Sequence, residues 1–74
     1  MTREEAVELG RKYAQADKRE PPTDAERLNL KRGGTSRGAW LLRYVPTPPD
    51  YTSLWYWIVD DATGELVESG AMKA

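Results

Sequence analysis

The sequence predicts an α+β fold in which one N-terminal helix packs on a four-stranded antiparallel meander, in a single domain spanning residues 1–74. Three observations predict it. The first is Leu54-Trp55-Tyr56-Trp57-Ile58-Val59, six apolar residues of aromatic and β-branched type that run into Asp60-Asp61-Ala62-Thr63-Gly64-Glu65, a strand entering a tight turn. The second is a helix start signal at Thr2. The third is the shortness of the remaining connections, which favours antiparallel neighbours and a helix laid across one face of the sheet.

The helix comes first. Thr2-Arg3-Glu4-Glu5 has the form of a capping box, with the Thr hydroxyl accepting an orphan N–H and Glu5 reaching back. Ala6, Leu9, Tyr13 and Ala16 mark one apolar stripe, flanked by Gly10 and Ala14, with Glu8, Arg11, Lys12 and Gln15 outside. Gly10 costs about 1 kcal/mol in helix propensity, and close approach to a sheet would explain it. The helix is expected to stop near Lys18, before Pro21-Pro22.

After a polar connection over Asp17 to Ala25, Arg27-Leu28-Asn29-Leu30-Lys31 alternates as a half-buried strand with Leu28 and Leu30 inward. Gly33 to Gly38 reads as a turn or flexible loop. Ala39-Trp40-Leu41-Leu42-Arg43-Tyr44-Val45 is a strand that Pro46 ends, and Pro46 to Tyr51 is a stiff loop. Beyond the Gly64 turn, Leu66 to Met72 is a weaker strand, expected at an edge.

Composition narrows the function classes. A chain of 74 residues buries only about 60% of its unfolded surface, so a supplement to stability is expected. With no cysteine and no histidine, disulfides, thiolate sites and the commonest general base are absent, which leaves self-association. Eleven basic against twelve acidic residues argue against nucleic-acid binding through bulk charge. The charged start is not that of a secretory signal, and no run approaches the roughly 20 apolar residues of a membrane span, so a cytoplasmic location is expected.

The informative anomaly is apolarity on both faces of the central strands. Trp55, Trp57 and Val59 share one face and Leu54, Tyr56 and Ile58 the other; Trp40, Leu42 and Tyr44 oppose Ala39, Leu41, Arg43 and Val45. One helix covers one face, and a solvated face would alternate with polar residues. An apolar patch is therefore left over, to be covered by loops, the C-terminal residues or edge side chains, by a protein partner, or by a second copy.

Other candidates have simpler readings. Asp60, Asp61, Thr63 and Glu65 offer oxygens, but their spacing is not that of a calcium loop and suits a turn. Lys31-Arg32-Gly33-Gly34-Thr35-Ser36-Arg37-Gly38 lacks phosphate-loop spacing; Arg32 and Arg37, with Arg27 and Arg43, could touch RNA, with Trp40 or Tyr44 stacking, or an acidic protein, or the segment is a solvated hairpin loop. Pro48-Pro49-Asp50-Tyr51 fits a P-P-x-Y ligand pattern or a rigid connection. Ser36, Ser53 and Ser69 have no His partner, and no spacing suggests a carboxylate pair, so no catalytic residue, metal or cofactor is expected.

Thr2-Arg3-Glu4-Glu5-Ala6, Trp40-Leu41-Leu42, and Trp57-Ile58-Val59-Asp60 leading into Ala62-Thr63-Gly64-Glu65-Leu66 resemble PepSY-type domains. In that family a helix opens with an E-E-A segment and a strand ends in V-D-x-x-T-G-E-V/L. Small helix-plus-meander bacterial immunity proteins share this grammar. The resemblance implies a non-catalytic regulatory or inhibitory binding domain, cystatin-like in shape, with Trp55, Trp57 and Val59 toward the helix. The contact surface is then expected at Leu41, Arg43, Val45, Leu54, Tyr56 and Ile58. PepSY domains are usually exported or membrane-attached, and the missing signal points to a cytoplasmic partner instead.

Overall fold

The structure is a computed structural model that describes residues 1–46 and 54–71. Helix α1 spans Arg3–Ala16, and strands β1 (Asp24–Arg32), β2 (Thr35–Tyr44), β3 (Trp55–Asp60) and β4 (Leu66–Ala71) follow. They form one antiparallel sheet in the order β1-β2-β3-β4, the expected meander, with α1 across one face in contact with β1, β2 and β3.

The helix begins as its first residues dictate. Glu5 N donates to Thr2 Oγ1 at 3.2 Å and Thr2 N donates to Glu5 Oε1 at 2.9 Å, a complete capping box. The other end closes in a Schellman pattern, with Lys18 N donating to Gln15 O at 3.1 Å and Arg19 N to Ala14 O at 2.8 Å. That geometry puts Lys18 at φ 56, a place glycine fills more cheaply.

The buried stripe of α1 is Ala6, Gly10 and Ala14, a correction to the expected Ala6-Leu9-Tyr13-Ala16. Leu9 and Tyr13 are half-buried at its side and Ala16 is exposed. The reason is size: small residues let the helix settle onto the large side chains of the sheet. A Cβ on Gly10 would stand 2.6 Å from Pro22 Cγ and 2.8 Å from Leu42 Cδ1, so the close approach expected of Gly10 is present. The core is Ala6, Ala14, Leu42, Trp57 and Val59, ringed by Met1, Tyr13, Ala25, Trp40, Tyr44 and Trp55.

Two strands are longer than their sequence suggests. β1 starts at Asp24, inside the expected connection, and β2 starts at Thr35, inside the expected loop. Only Gly33 and Gly34 turn, with φ of 55 and 82, the two positive values that a two-residue hairpin of type I′ requires. Because that turn matches strand twist, the ladder closes up to Arg32↔Thr35 and recruits Ser36, Arg37 and Gly38, whose propensities alone read as loop.

The register also reverses the expectation for β1. Residues directly opposite one another share a face. Leu28 pairs with Ala39 and Leu30 with Arg37, so both leucines lie on the side away from the helix, together with Leu41. Ala25 is the β1 residue that packs on the core.

Candidate functional site

The face of the sheet opposite α1 is assembled from all four strands, rung by rung. Asp24, Arg43, Tyr56 and Gly70 form one rung, and Glu26, Leu41, Ile58 and Glu68 the next. Leu28, Ala39 and Asp60 form the third, and Leu30 pairs with Arg37 beyond it. A register irregularity between Ile58 and Val59 inserts an extra β4 residue, and Val67 comes to line a notch of about 80 Å³ with Leu30, Thr35 and Arg37. Leu28, Leu30, Leu41, Tyr56 and Ile58 are half-buried, and Val67 is 40% exposed. Among the described residues no element packs over them.

Of the expected contact residues, Leu41, Arg43, Tyr56 and Ile58 converge on this face. Val45 lies just past β2, half-buried, its N–H donating to Thr23 Oγ1 at 3.0 Å. Leu54 is a correction. It precedes β3 and is only 8% exposed, so it is not part of the exposed surface. Leu28, Leu30 and Val67 were missed. A signal for the leucines existed: counting back from a two-residue Gly33-Gly34 turn sets Leu30 opposite Arg37 and Leu28 opposite Ala39.

Carboxylates edge this face. Glu26 and Glu68 are exposed at opposite ends of one rung. Arg43 bonds Asp24 and lies 3.6 Å from Glu26, and Arg37 pairs with Asp60 at 3.0 Å. Tyr56 lies over Gly70, and partial burial together with the Glu68 carboxylate raises its phenol above the ordinary value.

The Asp60–Glu65 segment is a turn, as its composition suggests. Asp60 Oδ1 accepts from Ala62 N at 2.8 Å and Thr63 N at 3.1 Å, Gly64 N donates to Asp60 O at 2.8 Å, and Gly64 has φ 76. These amide bonds, helped by Arg37, hold the Asp60 carboxyl below its ordinary range. Asp61 is lowered chiefly by the Trp40 indole, which donates to Oδ1 at 2.8 Å, then by the N-terminal ammonium at 3.1 Å and by Arg27, 3.2 Å from Oδ2. Both carboxylates are thereby engaged within the protein. No cluster of three or more metal-ligating side chains occurs among the described residues.

Among the described side chains, the basic residues grouped with the expected loop are split between the two faces of the sheet. Arg37 belongs to β2 and is paired with Asp60, while Arg27 is on the helix side, paired with Asp61 and 5.8 Å from the Trp40 ring centre. The side chain of Arg32 lies outside the described atoms. Trp40 and Tyr44 are on the helix side and pack against the core, away from Arg37 and Arg43. Pro48-Pro49-Asp50-Tyr51 and Ser53 lie outside the described residues. No described helix is long and apolar enough to cross a membrane.

Comparison with protein-family models, with characterised proteins and with solved structures returns no match for this chain.

Proposed function

We propose that this chain is a non-catalytic protein-binding domain, regulatory or inhibitory, acting in the cytoplasm through the sheet face that α1 leaves open. The observation that carries the reading is the juxtaposition of Leu28, Leu30, Leu41, Ile58 and Val67 on one face with partial exposure. A face meant only for water would alternate with polar residues there. The regulatory or inhibitory character draws on the resemblance to PepSY-type domains and small immunity proteins.

The test is site-specific photo-crosslinking from position 41, followed by purification of the captured partner and remeasurement of its affinity. The double variant Leu41→Ser with Tyr56→Ser is expected to stay folded and lose the complex. Retained affinity in a folded double variant overturns the reading. A structural homodimer through the same face is the second reading, supported by the need of so small a chain for extra burial. Light scattering over a dilution series decides it, since a monomer at high concentration removes the homodimer. Weak nucleic-acid contact through Arg32 and Arg37 predicts salt-sensitive binding, and no shift at low salt removes that alternative.

A further inference from the structure

We infer that the occupant of the open sheet face is an amphipathic helix whose apolar stripe is flanked by lysine or arginine, an inference that rests on the protein-binding reading above. The argument joins shape to charge. Leu41 and Ile58 sit side by side on the two central strands, and Leu28 lies on the next rung at the β1 edge. Glu26 and Glu68 stand at the two ends of the rung through Leu41 and Ile58. Three strand spacings separate them, roughly 14 Å in all. A helix with its side chains is about 10–12 Å across, so one laid along the central strands covers Leu41 and Ile58 and brings flanking cations over both carboxylates.

Length agrees with width. The six paired positions from Ala39 to Tyr44 run for roughly 20 Å. A helix of about 13 residues spans that distance, close to the 14 residues of α1 on the opposite face. The partner's sign follows from the ends of that rung, where Glu26 and Glu68 are both exposed carboxylates. Arg43 is already shared by Asp24 and Glu26, and Arg37 is held by Asp60, which leaves Glu68 without a cation among the described side chains. A second copy of this same face would bring acidic borders against acidic borders, whereas a helix with basic flanks neutralises them.

The test uses the full chain and synthetic 14-residue helical peptides that share one leucine stripe. One carries lysine flanks and the other glutamate flanks. Binding is followed by NMR of the methyl groups of Leu28, Leu41 and Ile58, over a salt series. The lysine-flanked peptide is expected to shift these methyls saturably and to bind at least tenfold more tightly than the glutamate-flanked one. In Glu26→Gln with Glu68→Gln its affinity falls about fivefold and its salt dependence flattens. Equal binding of both peptides at these methyls overturns the inference and leaves the protein-binding reading standing. Absence of any shift with either peptide also overturns it, and the crosslinking test from position 41 then decides the broader reading separately. Shifts confined to methyls on the α1 side overturn it as well.

Discussion

The two faces of the sheet are built from the same strands by the same alternation, yet they end in different states. On the α1 side Leu42, Trp57 and Val59 are fully buried. The aromatic side chains there are tied down at their edges: Trp40 to Asp61 at 2.8 Å, Trp57 to Asp17 at 3.4 Å, and the Tyr13 hydroxyl to Gly64 O at 2.8 Å, while Arg19 stacks 3.4 Å from the Trp55 ring centre. On the other side Leu28, Leu30, Leu41, Tyr56 and Ile58 are half-buried, Val67 is exposed, and carboxylates border them. The contrast teaches where stability and binding reside. The fully sheltered Trp57, Leu42 and Val59 hold the fold, and aliphatic groups left partly in water remain available to a partner.

The largest expected effect breaks the sheltered face. Trp57→Ala is expected to cost about 3–5 kcal/mol, most of the stability of so small a domain, whereas Ile58→Ser one residue away costs about 1 kcal/mol or less. Urea denaturation of the two variants measures the difference directly, and equal losses would mean that the faces are energetically alike.

Next is the helix–sheet spacing. Gly10→Ala improves helix propensity by about 1 kcal/mol but sets a methyl against Pro22 and Leu42. A net loss of about 1–2 kcal/mol in the denaturation midpoint is expected, and a gain would show that the helix is free to lift.

Acid sharpens the role of the turn that joins the faces. The carboxyls of Asp60 and Asp61 are depressed in the folded state by the Thr63 and Ala62 amides and by the Trp40 indole respectively. Their contribution is therefore complete above the unfolded carboxyl value of about 4 and is lost as pH falls through the folded values. Thermal melts between pH 6 and 2 are expected to show a falling midpoint below pH 4, with a shallower fall in Asp60→Asn and Asp61→Asn.

On the open face the Tyr56 phenol is raised, so folding favours its neutral form and stability declines as pH climbs through about 10. Ultraviolet titration is expected to show the Tyr56 transition moving down in Glu68→Gln. The smallest change tests neither face but the end of α1. Lys18→Gly relieves the positive φ and is expected to stabilise by about 0.5–1 kcal/mol.

How much of this was legible in the chain can be argued residue by residue. Thr2-Arg3-Glu4-Glu5 specifies its capping box locally, and the structure contains it. The aromatic alternation of β3 separates Trp57 and Val59 from Tyr56 and Ile58 without further information, and the structure puts the first pair in the core. Ser36, Arg37 and Gly38 were not legible as strand, since their extended state comes from hydrogen bonds to β1 rather than from their own propensities. The Ala6-Gly10-Ala14 stripe was hidden for a related reason. Small residues score weakly as apolar, and their value is known only once Leu42 and Pro22 stand opposite.

By itself the sequence determined the element order, the meander, the helix start and the surplus of apolar groups on both sides of the central strands. These follow from periodicity, capping and short connections, which act within a few residues of each other. The tertiary structure alone decided that Leu28 and Leu30 join Leu41 and Ile58 beyond the reach of α1, that Leu54 is buried, and that Glu26 and Glu68 stand at the two ends of one rung. Alternation sorts each strand's residues into two sets, but which sets share a face is set by pairing register between strands distant in the chain.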